Sequence, residues 1–117
     1  MIKYSVINNN TYLLFTYNGD YNFNKSLELI SAIKSDCTKN DIFKVFLDTS
    51  KIKKDDLSNL NRFNLGVEIS KVLNSKIQLA ILDNEKGINH LVEITANNRS
   101  SYVKASSDKT ELLKWLA

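Results

Sequence analysis

Two short and almost continuously apolar segments place the strongest constraint on the fold. Residues 42–48 read IFKVFLD and residues 77–82 read IQLAIL, and an aspartate, Asp48 or Asp83, closes each segment. Strands that are apolar on both faces are typical of parallel sheets, because helices cover both sides of such strands. The sequence therefore predicts an α/β fold with these two segments as neighbouring, buried strands.

Helical patterns separate the strands. Apolar residues recur every three or four positions, as expected of amphipathic helices, in four segments: 24–37, 56–73, 86–97 and 112–116. Further short apolar runs predict three more strands: 2–7, 12–17 and 102–105. We expect a mixed sheet of four to five strands, in which an N-terminal antiparallel hairpin precedes a β-α-β-α-β-α alternation. The helices should lie largely on one face of the sheet.

The composition limits the chemistry that the chain can perform. Its 117 residues fit one ordinary domain, which we assign to 1–117. One histidine, one cysteine and three glycines exclude a zinc site of four Cys and His ligands, a disulfide and a glycine-rich nucleotide loop. We expect no cofactor and no metal. Cys37 falls on the apolar side of a predicted helix and should pack as a small apolar residue.

The charge pattern does not favour a nucleic-acid partner. The net charge is +3, and only two of the sixteen basic residues are arginines, whereas nucleic-acid binders carry denser basic stripes. The densest basic stretch, within residues 49–54, is followed at once by Asp55 and Asp56. We interpret this stretch as a solvated loop, and either aspartate could cap the helix that follows.

The sequence also predicts the cellular location. It contains no run of about 18 apolar residues, the length needed for a transmembrane helix, and its first residues lack the pattern of a signal peptide. The lone Cys37 agrees, because secreted domains of this size often pair their cysteines. We expect a cytoplasmic protein without a transmembrane segment.

Several short motifs, taken in order, resemble those of a known family. They are VFLDTS at 45–50, a helix start at Asp56, ILD at 81–83, Asn98-Arg99 before a short strand, and LLKWL at 112–116. In this order they resemble a STAS domain, and within that superfamily the SpoIIAA-like branch, which is related to SEC14 domains. The resemblance implies a non-catalytic regulatory or protein-interaction module.

The resemblance also implies a phosphorylation switch. In the family, a serine at the start of the second helix is phosphorylated by a partner kinase, which binds the unmodified form. The matching segment here is DLSNL at 56–60, in which Asp56 and Leu60 match the family pattern and Asn59 replaces a glycine. Leu57 occupies the acceptor position, so Ser58, one residue later, is the candidate phosphosite. The alternative is that Ser58 is only a first-turn residue of the helix.

The partner-binding site follows from the sheet topology. Open α/β sheets bind ligands and partners at the carboxyl ends of their parallel strands. We therefore expect the polar side chains around the second helix start to lie together there and to bind a regulator or kinase-like protein. These candidate residues are Asp48, Ser50, Asp56, Ser58 and Asn59.

Other functions remain open at this point. The broad apolar face of helix 56–73 also suits a small apolar or lipid ligand carrier, which would require a cavity of several hundred Å³. An enzyme could use Asp48, Asp83 and His90, but no spacing of nucleophile and base supports a reaction class, so we assign no catalytic residue.

A homodimer is a further alternative. Aromatic residues are frequent around the second predicted strand: Tyr12, Phe15, Tyr17, Tyr21 and Phe23. If they form an exposed patch, that patch would mark a self-association surface. Otherwise they cover the open face of the sheet.

Overall fold

The structure, a computed structural model, describes residues 4–8, 11–84 and 90–117. Its strands are β1 (Tyr4–Asn8), β2 (Leu13–Tyr21), β3 (Lys44–Asp55), β4 (Gln78–Leu82) and β5 (Tyr102–Ser106). Its helices are α1 (Phe23–Asn40), α2 (Asn59–Val72), α3 (Leu91–Asn97) and α4 (Lys109–Leu116). The predicted hairpin turn at 9–10 and the first residues of the predicted helix 86–97 lie outside the described residues.

The strands lie in the sheet in the order in which they occur in the chain. β2, β3, β4 and β5 run parallel to one another, and β1 pairs antiparallel with β2. Each parallel crossover therefore moves one strand in the same direction, and crossovers of this kind are almost always right-handed. Right-handed crossovers in one direction place α1, α2 and α3 on the same face of the sheet. The predicted α/β architecture is confirmed.

Two hydrophobic cores lie on the two faces of the sheet. The larger packs β2 and alternate residues of β3, such as Val45 and Leu47, against α1, α2 and α3. The smaller packs Phe46 and Ala80 against α4 through Leu112 and Leu116. Cys37 is fully buried in the larger core, as predicted, and burial raises the pKa of its thiol to about 12.

The third strand is longer than the sequence analysis predicts. β3 does not end at Asp48, and the residues interpreted as a solvated loop, 49–54, are part of the strand. They pair with β2, which also continues past its predicted end at Tyr17, through two irregular steps, and β3 holds one extra residue at each step. Thr49 turns inward, and its hydroxyl donates a hydrogen bond to the carbonyl oxygen of Leu82 at 3.0 Å. Lys51 and Lys53 are exposed because some side chains of a strand point to solvent while others point inward.

The second and third helices start at different residues from those predicted. The N-cap of α2 is Ser58, whose hydroxyl oxygen accepts the N–H of Asn61 at 3.1 Å. The predicted caps, Asp55 and Asp56, do not have this role. Asp55 is already engaged, since it accepts the N–H of Leu57 at 2.9 Å. His90 immediately precedes α3 and is not inside a helix.

The aromatic cluster around β2 does not form an exposed patch. Phe15, Tyr17 and Tyr21 are buried in the larger core, and the rings of Tyr17 and Tyr21 meet edge to face with centroids 5.0 Å apart. Tyr12 lies on the other face and packs against Phe46. These residues therefore cover the faces of the sheet, and they do not form the exposed aromatic patch that the alternative of a homodimer required.

A glycine allows α2 and α3 to pack closely. A Cβ atom added at Gly66 would lie 2.6 Å from Cβ of Thr95 and 2.9 Å from the carbonyl oxygen of Val92. Atoms do not approach so closely without displacement, so the two helices are in direct contact at this point. The close contact makes α2 and α3 a single outer surface.

We expect Gly66→Ala to destabilise the protein by about 1–2 kcal/mol. Alanine favours a helix by about 1 kcal/mol over glycine, whereas overpacking a close contact typically costs about 1–3 kcal/mol. The cost here should lie in the upper part of that range, about 2–3 kcal/mol, because the added atom meets backbone as well as side chain. Asn64→Ala in the same helix is the control and should be neutral or slightly stabilising. Urea denaturation followed by circular dichroism measures both, and an unchanged or higher stability for Gly66→Ala would contradict the expectation.

Candidate functional site

The predicted site residues fall into two groups. Asp48 and Ser50 form the first, because the Asp48 carboxylate accepts both the N–H of Ser50 at 2.9 Å and its hydroxyl. Asp48 lies two residues after Phe46, which packs against α4, so strand alternation places it on the α4 side of the sheet.

The second group lies where β3 ends and α2 begins. Asp56 donates its N–H to the carbonyl oxygen of Tyr21 at 3.0 Å, Ser58 caps α2 and Asn59 is the first residue of that helix. All three are exposed. The extension of β3 separates them from Asp48.

The separation follows from the strand register. Asp48 lies opposite Thr16, and Asp55 lies opposite Tyr21, so five residues of β2 span the distance. At about 3.3 Å per residue this is roughly 16 Å. The structure therefore brings together Asp48 with Ser50, and Asp56 with Ser58 and Asn59, but it does not merge the five residues into one compact cluster.

Exposed apolar side chains continue the second group along α2. Leu60 is 68% exposed and Phe63 is 39% exposed, and on the adjoining α3 Ile94 is 53% exposed. We call these three residues the α2–α3 patch. The guanidinium carbon of Arg99 lies 5.3 Å from the centroid of the Phe63 ring, a distance at which a cation interacts favourably with an aromatic face.

On the opposite side of α2, an apolar cavity of about 80 Å³ lies between the helices and the sheet. Its walls are hydrophobic side chains of β3, β4 and all three helices of that face: Leu29, Ile30, Ile33, Leu47, Ile52, Leu65, Ile69, Leu79, Ile81 and Val92. Charged side chains also line it: Asp55, Arg62, Asp83 and Glu93.

Hydrogen bonds hold most of these charged groups in place. Nη2 of Arg62 lies 2.9 Å from Oδ2 of Asp55. Glu93 accepts the N–H of Ala105 on one carboxylate oxygen, at 2.7 Å, and its other oxygen lies 2.7 Å from Nδ1 of His90. Asp83 accepts the N–H of Asn84 at 2.8 Å.

Asp83 has the most perturbed of these carboxyl groups. Burial raises its pKa above the ordinary value, the N–H of Asn84 opposes the rise, and the carboxylate of Asp55 adds to it. No basic side chain forms an ion pair with Asp83 within residues 4–8, 11–84 and 90–117. Asp83 follows β4 and Asp55 ends β3, so a partly buried carboxyl group lies near a second carboxylate. Burial and a like charge both disfavour the ionised form of such a group.

Sequence reasoning identified Asp83 only as a turn residue or an enzymatic group, and it missed Asp55, Arg62 and Glu93 as members of a common site. The only local signal for this site in the sequence is the pair of aspartates, Asp48 and Asp83, at the ends of the two apolar strand segments. Arg62 and Glu93 reach the cavity only through the packing of α2 and α3, which leaves no local pattern.

Two findings bear on other kinds of site. Within the described residues, no group of three or more His, Cys, Asp or Glu side chains is arranged to hold a metal ion. None of the helices in the described ranges is long and apolar enough to cross a membrane.

We expect Asp83→Asn to stabilise the protein at neutral pH. A carboxyl group whose pKa is raised by folding contributes stability below its unfolded pKa, about 3.9, and that stability is lost as the pH rises through the folded value. The amide keeps the acceptor for Asn84 without the charge, so its advantage should be present at pH 7 and absent near pH 3.5. Asp36→Asn on α1 is the charge-matched control. Thermal melts of the wild type and the variant across this pH range test the prediction. A difference in stability between the two proteins that is the same at both ends of the range would contradict it.

Comparison with known proteins identifies the fold. No family model matches the sequence, and no curated protein matches it. An uncharacterized protein of the DUF3478 family from Shewanella loihica, solved with a SpoIIAA-like fold, superimposes with a TM-score of 0.58 at 16% identity, covering 99% of this chain and 94% of that one.

Two anti-sigma factor antagonists have similar structures. An anti-sigma factor antagonist from Mycobacterium paratuberculosis superimposes with a TM-score of 0.65 at 9% identity over 99% of this chain and 94% of that one. The anti-sigma factor antagonist SpoIIAA, in its unphosphorylated form, gives a TM-score of 0.56 at 6% identity over 97% of both chains. The resemblance predicted from the sequence is thus confirmed at the level of the fold: the chain has a SpoIIAA-like fold.

Proposed function

We propose that the protein is a non-catalytic regulatory module that binds a protein partner through the start and the outer side of α2. The exposure of the α2–α3 patch carries the proposal. Of the four large hydrophobic residues that are exposed in the described part of the chain, three belong to this patch. Exposed apolar side chains grouped in this way mark interaction surfaces in soluble proteins.

The chemistry of the patch suggests what the partner presents. Aromatic and arginine side chains are enriched at the energetically important centres of interfaces, and here Phe63 lies under Arg99. Arg99 forms no ion pair with a carboxylate in the described ranges. A partner segment with an apolar side chain and a neighbouring acidic group would complement both.

The similar structures support a regulatory role. Two of them are anti-sigma factor antagonists by name, and such proteins act by binding rather than by catalysis. The buried Cys37 is also a poor nucleophile, because its raised pKa keeps the thiol protonated at neutral pH. We propose a regulator or kinase-like protein as the partner.

Ser58 is the proposed control point of this surface. Its side chain is exposed, it caps α2, and it precedes Leu60 by two residues. Leu57, which occupies the family's acceptor position, lines the cavity instead. A phosphate on Ser58 would add about −1.5 to −2 charges that a docked apolar partner would have to desolvate, so phosphorylation should release the partner.

Asp48 and Ser50 are proposed as an outlying contact. A typical interface buries about 800 Å² on each partner, which is wide enough to reach across roughly 16 Å of sheet edge. Because Asp48 lies on the α4 side of the sheet, its contribution to the affinity for the partner should be smaller than that of Leu60.

A lipid carrier is the less favoured function. The apolar cavity measures about 80 Å³, whereas sites for drug-sized ligands measure about 300–1,000 Å³. A fatty acyl chain would need a large rearrangement of the core to enter.

Leu60→Asp should abolish partner binding while leaving the fold intact. Its side chain is exposed, and removal of an interface anchor commonly weakens binding more than tenfold. The loss of binding is measured by cross-linking and quantitative affinity purification from the source cells. The proteins recovered with the wild type are compared with those recovered with Leu60→Asp. Tyr102→Ser is the matched control, because Tyr102 is the fourth exposed large hydrophobic residue and lies on β5, away from the patch. If Leu60→Asp recovered every protein in the same amount as the wild type does, the proposed surface would be contradicted.

A charge at position 58 should weaken the same interaction by about tenfold or more, as a buried unpaired charge is costly. Ser58→Asp and Ser58→Asn both supply a good N-cap, so they differ only in charge. We expect Ser58→Asn to bind like the wild type and Ser58→Asp to bind weakly. Equal binding by the two variants would exclude the switch, and mass spectrometry of protein from the source cells tests whether Ser58 is phosphorylated.

A further inference from the structure

We propose that the cavity beneath α2 binds a small organic cation, a primary ammonium group on a short alkyl stem. The volume of the cavity, its apolar walls and the charge of its polar lining all fit such a ligand. This site is separate from the α2–α3 patch, and it is independent of the proposed regulatory function.

The apolar walls determine what the ligand carries into the protein. Ile33, Leu65 and Leu79 are buried and line the cavity. The volume of about 80 Å³ has room for several water molecules, since about 10–15 Å³ of such space accommodates one. Water is held poorly against the aliphatic part of the wall, where it lacks the two to four polar partners that it needs. An alkyl stem of about three or four carbons fills the same space and removes its own apolar surface from water.

The charged lining determines the sign of the ligand. Three carboxylates, those of Asp55, Asp83 and Glu93, line the cavity together with one guanidinium, that of Arg62. The guanidinium is held by Asp55, so the group as a whole carries an excess of negative charge. An anionic ligand would be repelled, and an ammonium group would be attracted.

Asp83 is the carboxylate best placed to receive the ammonium group. Both oxygens of Glu93 are engaged, one with Ala105 and one with His90, whereas Asp83 accepts only the N–H of Asn84 within the described residues. Its second oxygen therefore has capacity for a charge-assisted hydrogen bond. The direction of its pKa shift agrees, since burial and Asp55 disfavour its charged form and a cation would reverse that effect.

Titration with n-butylammonium chloride tests the site. Alkylammonium ions, like lysine side chains, are charged at pH 7. The amide signals of the full chain, followed by nitrogen–proton NMR at constant ionic strength, should shift in a saturable manner, with the changes concentrated at lining residues such as Leu47, Leu65, Val92 and Ala105. The uncharged analogue n-butanol should bind about tenfold more weakly.

Two variants separate the contributions of charge and volume. Asp83→Asn should weaken n-butylammonium about tenfold and leave n-butanol unchanged, while Ala105→Val, which narrows the cavity, should weaken both. Asp36→Asn is the control for a lost charge elsewhere and should bind like the wild type. The site would be excluded by shifts that do not saturate, by equal binding of n-butanol, or by unchanged n-butylammonium binding in folded Asp83→Asn. None of these results depends on whether a protein partner exists.

Discussion

The parallel pairing of β3 with both β2 and β4 is the interaction on which the rest of the structure depends. Val45 and Leu47 of β3 are buried in the larger core and Phe46 in the smaller one, so this single strand belongs to both. Parallel neighbours on each side require a crossover helix for each pairing, and these are α1 and α2. Right-handed crossovers then place both helices on one face, which forms the cavity and leaves the outer side of α2 in solvent.

The continuation of β3 beyond Asp48 determines where α2 begins. The last residue of the strand, Asp55, accepts the N–H of Leu57 and pairs with Arg62 one turn into the helix. The same carboxylate therefore ends the strand, orients the helix and lines the cavity. Because the extra length of β3 is taken up by two irregular steps against β2, the start of α2 lies well away from Asp48, and the site predicted from sequence is divided.

The sequence contains enough information for the buried parts of the fold and less for the site. The strands at 42–48 and 77–82 are predictable because burial on both faces leaves a continuous apolar run. The N-cap of α4 is predictable because an acid or hydroxyl residue three positions before a glutamate is a capping pattern, and Asp108 accepts the N–H of Glu111 at 3.2 Å. Residues 49–55 are missed because lysines at exposed positions of a strand resemble those of a loop, and because the bulge in β3 places the inward Thr49 and Ile52 three positions apart, which hides the two-residue alternation of a strand. The cavity depends on the approach of α2 to α3 at Gly66, and contacts between distant segments have no local signal.

The apolar character of the α2–α3 patch is not explained by folding. α2 is fixed to the protein by its buried residues, Leu65, Gly66 and Ile69, and by the pairing of Arg62 with Asp55. Leu60 adds little to this attachment, since 68% of its surface remains exposed and the hydrophobic contribution of a side chain scales with the area removed from water. A polar residue at position 60 would preserve the helix and improve solubility. The proposed partner surface would bury a leucine at this position together with the exposed Phe63, so that the outer side of α2 serves the proposed function and its inner side holds the helix to the fold.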